Sequence, residues 1–507
     1  MFSNDLPLWG AVLLSLHLCL LIILCFFGMH RLSMVFRWFK YKDKREIITT
    51  QFESLPKVTV QIPLYNERMV AERIVDAVCA LDYPSELLQI QIVDDSTDET
   101  IGITATRVQQ YKKQGINIDH VTRTNRHGYK AGALKDAMET ATGEFIAIFD
   151  ADFIPHPSII LDTIHEFTDE NVGMLQYRWE HLNRHNSKMT ETQAMMLDAH
   201  FSLEQTVRCN SGMLLNFNGT AGIWRTETII DAGHWSADTL TEDLDLSYRA
   251  QLKGWKMHYL NDVVCHGELP ADMNAFKSQQ HRWAKGGIQV MKKMLGTVWR
   301  SPISLKKKIE ASFHLSNNLA YFVMLVDTLF FLLPSLWLRE KYQTDQMLWL
   351  DVPLLLLSSG GHLVYLYFGQ IALKHSPWKA FLQIPRLIVM GIRLAFNNAN
   401  AAVEALQGLE SEFVRTPKSG ELSEVDVPVP EISNKPEKSN FTLNLYQAVP
   451  PKGAFFELAL AVIYCIVFAW AIEQGLWLLL PFIFLLMCGF ISAAKQSFVG
   501  QLKLSKQ

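Results

Sequence analysis

Five apolar runs, each long enough to cross a bilayer, divide this chain before any other feature is weighed: residues 8–28, 313–338, 348–373, 454–473 and 476–496. About 20 apolar residues in a helix span the hydrocarbon core, and backbone in lipid must satisfy its own hydrogen bonds, so such runs fold as helices. They account for a hydrophobic fraction of 49%, high for a soluble enzyme. Between the first run and the second lies one long soluble-like stretch, 55–300. The expected architecture is therefore an α/β domain inserted into a bundle of membrane helices.

The first run contains a single ionisable side chain besides two cysteines, His17, and is followed by Arg31, Arg37, Lys40, Lys42, Lys44 and Arg45. Positive charge after the run, not before it, argues against a cleaved signal peptide and places this side in the cytoplasm. The expected topology has five spans, the N-terminus outside, and the soluble domain and C-terminus inside. The segment 378–396, interrupted by Pro385 and carrying Lys379, Arg386 and Arg393, reads as an interfacial helix, with a sixth membrane span as the alternative. Expected boundaries are 1–30 for the first membrane helix, 31–54 for a basic linker, 55–300 for the soluble domain and 301–396 for membrane and interfacial helices. A polar, Pro-rich cytoplasmic loop follows over 397–452, then two membrane helices and a short tail over 453–507. A net charge of −4 with no basic stripe excludes a nucleic-acid partner, and the seven cysteines have neither metal-ligand nor disulfide spacing. The sequon Asn218-Gly-Thr220 falls on the cytoplasmic side and is expected to be a chance match.

Within 55–300 short β runs alternate with helical stretches: strands at 58–62, 89–93 and 145–149, helices near 67–81, 98–113 and 130–140. This is the pattern of a parallel, Rossmann-like sheet covered on both faces, in which ligands bind at the carboxyl ends of the strands. Polar residues cluster at those ends: Tyr65-Asn-Glu67, Asp94-Asp95 and Asp150-Ala-Asp152. Two carboxylates one residue apart after a buried strand are unfavourable unless a cation neutralises them, and a divalent ion shared with a diphosphate does so; oxygen ligands select Mg2+ or Mn2+. Lys130 lies in a glycine-punctuated turn entering a helix, which suits a diphosphate but lacks Walker spacing. Thr241-Glu242-Asp243 opens a helix with Thr241 in the N-cap position, and Asp243 is a carboxylate separate from the metal pair that could serve as a general base. Gln279, Arg282 and Trp283, at i, i+3 and i+4, share one helix face that offers an amide, a guanidinium and an indole.

Taken together, Gln61-Ile-Pro-Leu-Tyr-Asn-Glu67, Asn125-Arg-His-Gly-Tyr-Lys130, Ile148-Phe-Asp-Ala-Asp152, Phe217-Asn-Gly-Thr-Ala-Gly-Ile-Trp224, Thr241-Glu-Asp243 and Gln279-Gln-His-Arg-Trp283 closely resemble the membrane-bound family 2 glycosyltransferases. Cellulose synthase and its plant cellulose-synthase-like relatives are the nearest in pattern, above all the A-type branch, which makes mannan and glucomannan from GDP-mannose. The resemblance implies a glycosyltransferase-A-like fold, with Tyr65, Glu67, Asp94 and Asp95 at the nucleoside and Lys130 at the diphosphate. It further implies that Asp150 and Asp152 hold the metal-bound diphosphate, that Asp243 is the base, and that Gln279, Arg282, Trp283 and Glu242 meet the acceptor and diphosphate. Phe413, Thr416 and Lys418 match a loop that closes over the donor in that family, with Arg415 where the family has Val. The implied partners are a nucleotide-sugar donor (GDP-mannose or UDP-glucose), a growing glycan and the bilayer, with export or cell-wall proteins beyond them. The implied activity is inverting, processive synthesis of a β-linked polysaccharide. Two alternatives stay open: transfer of one sugar to a lipid, and a non-catalytic membrane scaffold.

Overall fold

The computed structural model describes residues 6–342, 348–409, 418, 420 and 454–504. Its soluble part is built on seven strands: β1 (Val58–Leu64), β2 (Leu88–Asp94), β3 (Ile118–Thr122), β4 (Phe145–Ile148), β5 (Val172–His181), β6 (Gly222–Arg225) and β7 (Lys256–Gly267). They lie in the order β3-β2-β1-β4-β6-β5-β7. The left half is parallel, as the β-helix alternation requires. The sheet as a whole is mixed, not parallel throughout, because β6 runs antiparallel to both β4 and β5. This strand returns directly between two neighbours, so the carboxyl ends of β4 and β5 and the start of β6 all open on one edge.

The central strands are apolar on both faces. Phe145 and Ala147 of β4 enter one core with Val58, Val60 and Ile74, while Ile146 and Ile148 enter the other with Leu134, Phe217 and Trp224. Polar side chains inside the sheet are paired across the β1/β2 register: Thr59 Oγ1 donates to Gln89 Oε1 (2.9 Å) and Gln61 Nε2 to Gln91 Oε1 (2.9 Å). A one-residue slip would leave these amides buried without partners, so they fix the alignment that brings the strand ends together.

Among the described residues, five helices are long and apolar enough to cross a membrane: Leu8–Tyr41, Leu319–Lys341, Trp349–Ala372, Pro377–Gln407 and Phe455–Glu473. One sequence expectation changes here. Pro377–Gln407 is one unbroken helix that carries Pro385 inside it, so no domain boundary falls at 396. Burial of Leu387, Met390, Leu394 and Ala399 along it outweighs the one backbone hydrogen bond the proline removes. The last helix runs over Leu480–Leu504, with an apolar stretch at Leu480–Lys495. Two pairs of ionisable groups within the spans meet each other, as the low dielectric favours: His17 Nδ1 lies 2.7 Å from Asp327 Oδ1, and Arg339 bonds Asp351.

The soluble part is fastened to the bundle at two places. A helix over Lys188–Asp198 passes into a π-helical turn, Ala199–Gln205, seated on the 349–372 helix so closely that a Cβ on Gly369 would fall 2.5 Å from the Ala199 Cα. From this turn Glu204 accepts hydrogen bonds from Arg31 (2.6 Å), Arg208 (2.9 Å) and Tyr365 (2.9 Å). The second fastening is the Met273–Arg300 helix, where Lys277 Nζ donates to Glu457 (2.7 Å) and Lys285 Nζ to Glu404 (3.0 Å).

Candidate active site

A cleft of about 1310 Å³, counting its open mouth, lies along the strand-end edge. At one extremity the β1 and β2 loops are laced together: Asn66, held at φ 54°, donates its backbone N–H to Ser96 Oγ (2.8 Å), and its Oδ1 accepts from Thr97 N (2.8 Å). Tyr65, Glu67 and Asp95 face the cleft. Asp94 does not line it; its carboxylate turns back to accept from Ser96 N (2.9 Å) and lies 2.9 Å from His120 Nε2, so it shapes the loop from behind.

Arg123, which the sequence gave no reason to single out, supports this end. Its guanidinium spans both oxygens of Asp95 and donates to the backbone carbonyls of His127 (3.1 Å) and Tyr129 (3.0 Å). It thereby holds the turn in which Gly128 (φ 76°) and Tyr129 (φ 48°) adopt left-handed backbone. Arg126 of the same turn stacks its guanidinium 3.4 Å over the ring of Tyr65. Strained backbone held in place by several bonds beside a cleft is a frequent mark of a functional site.

That turn launches Lys130, whose Nζ donates to Asp150 Oδ1 (2.5 Å) and to the carbonyl of Gly219 (2.9 Å). Burial works against its charge, but Asp150, Glu242 and Asp243 together hold its pKa above the ordinary lysine value. Asp150 is fixed at its backbone by Thr220 Oγ1, which accepts from Asp150 N (2.7 Å). Asp152 accepts from Lys418 Nζ (2.6 Å), and Lys418 also donates to the carbonyl of Glu268 (2.6 Å). Phe413 and Thr416 lie outside the described residues. Among the described residues no three His, Cys, Asp or Glu side chains are placed to hold a metal ion by themselves. The Asp150/Asp152 pair, each carboxylate opposed by an ammonium, fits instead an ion that draws its other oxygen ligands from a diphosphate and water, as Mg2+ and Mn2+ commonly do.

Across the cleft the Glu242–Leu252 helix begins at Thr241. Thr241 occupies the N-cap position, but its hydroxyl caps nothing and has no hydrogen-bond partner. Its side chain is pressed against the 273–300 helix, where a Cβ on Gly286 would fall 2.6 Å from Thr241 Cγ2. Asp243 Oδ1 accepts from Leu244 N (2.8 Å), and Oδ2 lies so near Gly219 that a Cβ there would be 2.9 Å away. Burial, then the neighbouring Glu242, pushes the Asp243 carboxyl up to about 7, against the opposing pull of Lys130 and Arg282. Gln279, Arg282 and Trp283 line the same cleft from the 273–300 helix, which is capped by Asp272 Oδ1 accepting from Asn274 N (2.9 Å) and Ala275 N (3.0 Å). Asn218 of the sequon also lines it, with its Oδ1 2.9 Å from both Asn216 Nδ2 and His200 Nε2, a setting unsuited to a glycosylation acceptor. Thus Tyr65, Glu67, Asp95, Lys130, Asp150, Asp152, Glu242, Asp243, Gln279, Arg282, Trp283 and Lys418 share one cavity.

Residues 56–286 match the family model described as glycosyltransferase like family 2. The chain is 41% identical over 278 residues to glucomannan 4-beta-mannosyltransferase 1 of Oryza sativa subsp. japonica, covering 54% of this chain and 53% of that protein. It is 39% identical over 279 residues to glucomannan 4-beta-mannosyltransferase 7 of Arabidopsis thaliana, covering 54% and 50%. The chain therefore spans about half the length of the curated relatives it matches. In fold it is similar to the mannosyltransferase PcManGT of Pyrobaculum calidifontis, solved with GDP-Man and Mn2+, at a TM-score of 0.52 and 20% identity, covering 78% of this chain and 100% of that one.

Proposed function

We propose that the chain, whose residues 56–286 match the glycosyltransferase like family 2, is an inverting membrane β-glycosyltransferase. It takes a nucleotide-diphospho sugar, GDP-mannose first and UDP-glucose second, and extends a β-linked polysaccharide. The observation that carries this reading is the position of Asp243: a carboxyl raised to about 7 in the same cleft as the Lys130/Asp150 pair and the Gln279/Arg282/Trp283 face. A base poised near the working pH is what deprotonation of a sugar hydroxyl requires.

In the proposed reaction Tyr65, Glu67 and Asp95 hold the nucleoside and Lys130 the diphosphate, with Asp150 and Asp152 as the residues that would hold Mg2+ or Mn2+. The ion's chemistry, when bound, is to neutralise charge growing on the departing diphosphate. The acceptor hydroxyl, set by Gln279 and Trp283, loses its proton to Asp243 as its oxygen attacks the anomeric carbon from the face opposite the diphosphate. The bond from that carbon to the diphosphate oxygen breaks, its electron pair leaves with the nucleotide, and Arg282 stabilises the negative charge. Inversion converts an α-linked donor into a β-linked product. The domain works on the cytoplasmic side, and the 273–300 helix hands the product to the neighbouring membrane helices for export.

Product length tests the reading. Purified protein in vesicles, supplied with labelled GDP-mannose or UDP-glucose and Mn2+, is expected to yield a polymer that β-mannanase or β-glucanase degrades. A product that stays a monoglycosylated lipid makes the enzyme a single-sugar lipid transferase, and an absence of nucleotide release from either donor removes the catalytic reading altogether.

A further inference from the structure

The order of the strands arranges the cleft linearly. Asp95 and Tyr65 stand at the ends of β2 and β1, the Asp150/Asp152 pair at the end of β4, and the next strand ends along the sheet are those of β6 and β5. A nucleotide sugar whose base lies over β1 and β2 and whose diphosphate lies at β4 puts its sugar over β6 and β5. The side chains that meet the cleft from the end of β5 are Trp179 and His181, two residues apart and so on one face of the strand. Neither has a part in the mechanism above.

Both are held as a ligand wall should be. Trp179 is half-buried, with its ring edge-on to Phe153 (centroids 5.0 Å apart, 63° between planes) and against Phe201 (4.8 Å, 30°). Phe153 is itself pressed onto Gly267, where a Cβ would fall 2.5 Å from its ring, so the indole has little room to turn. His181, opposite Gly267 in the β5/β7 register, is only 4% exposed, and its Nε2 makes no hydrogen bond although it lies 3.9 Å from an Asp198 oxygen. Burial, then the charge of Arg184, pushes its pKa down to about 4, so the ring is neutral at physiological pH. A fixed aromatic face beside a neutral imidazole suits a hexose, which offers an apolar C–H face and uncharged hydroxyls.

We infer that Trp179 and His181 form the wall that recognises the sugar of the donor, Trp179 by stacking on its ring and His181 by hydrogen bonding to a hydroxyl. The inference rests on the proposed use of a nucleotide sugar and adds a division of labour: these two residues read the hexose, while the β1, β2 and β4 ends read the nucleotide.

The test compares two ligands on full-length protein in detergent with Mn2+: GDP against GDP-mannose, and UDP against UDP-glucose. Trp179→Leu is expected to weaken the sugar nucleotide about 5- to 10-fold while changing the free nucleotide less than about twofold, the scale of one lost aromatic contact. Trp179→Phe, which keeps an aromatic face, should retain most of the affinity, and His181→Ala should again weaken only the sugar nucleotide. Thermal unfolding of each variant identifies any that fail to fold, in which case Trp179→Met, which also lacks an aromatic face, and His181→Asn carry the comparison. Equal weakening of nucleotide and sugar nucleotide, or no change in either, overturns the inference and leaves the proposed function standing. Wild-type protein that binds none of the four ligands overturns the proposed function, and the inference with it.

Discussion

Asp243 carries the sharpest expectations at the scale of single residues. Asp243→Asn keeps the shape and the Leu244 contact but cannot accept a proton, so it should bind the nucleotide with near-normal affinity and lose transfer by more than about 100-fold. Near-normal turnover by this variant would refute the assignment. The same carboxyl sets the pH response: it must be ionised to act, so kcat/KM should rise with pH through the region near 7, where the wild-type group titrates. Stability should move the opposite way. In the unfolded chain aspartate ionises near pH 3.9, at the low end of the window; in the fold burial raises the group to about 7. Its stabilising contribution is therefore complete below about pH 4 and lost as pH climbs to about 7. Asp243→Asn, which stays neutral, should unfold at a higher temperature than wild type at pH 8, with the gap closing towards pH 4. Such residues were legible in the sequence because each followed a strand or opened a helix. Arg123, Trp179 and His181 were not: an arginine clamp on Asp95 and the emergence of β5 into the cleft depend on pairings across 28 residues and on which strand lies next to which.

Among the elements, one close approach in the site brings the start of one helix against the middle of another. Gly286 of the 273–300 helix admits the Thr241 turn without a side chain between them. Gly286→Ala should push the Gln279/Arg282/Trp283 face away from Asp243, lowering transfer roughly 10- to 100-fold, as small misplacements of reacting groups do, with little change in nucleotide affinity. A steady-state assay beside nucleotide titration checks both halves. The sequence disclosed the helices and their facing residues but not this contact, since a glycine in a helix has several possible causes. It also concealed β6, whose four residues, Gly222–Arg225, carry too little alternation to be read as a strand turning back. Pro385 misled in the other direction: taken locally it interrupts a helix, whereas packing along 31 residues carries the helix through it.

For the whole molecule, one of the two fastenings between the soluble and membrane parts centres on a buried carboxylate. Glu204 is bonded by Arg31 of the first helix, Arg208 beside it in sequence and Tyr365 of the 349–372 helix, and Arg208 in turn lies 3.3 Å from Glu310. Removing one partner from a buried ionic cluster leaves the others uncompensated, so Glu204→Ala should cost about 3–5 kcal/mol of stability. In detergent this appears as a clearly lower unfolding temperature, and Glu204→Gln, whose amide oxygen still accepts from one side of the cluster, should recover part of it. An unchanged unfolding temperature for both variants would deny the cluster its fastening role. The alternation of apolar runs with one α/β stretch foretold the two-part architecture. What holds the parts together was not foretold, because charges at 31, 204, 208 and 310 meet only once the chain has folded.

The 273–300 helix bears on ancestry. It takes its cap from the end of the soluble domain, presents Gln279, Arg282 and Trp283 to the cleft, receives Thr241 at Gly286, and pairs with Glu404 and Glu457 of two later helices. Recombination between related chains, in nature or in a library of chimaeras, therefore finds few tolerable crossover points. An exchange at residue 272 gives the cleft a foreign acceptor face, and one at residue 300 sets a native helix against foreign carboxylates. The two halves are expected to have been inherited together.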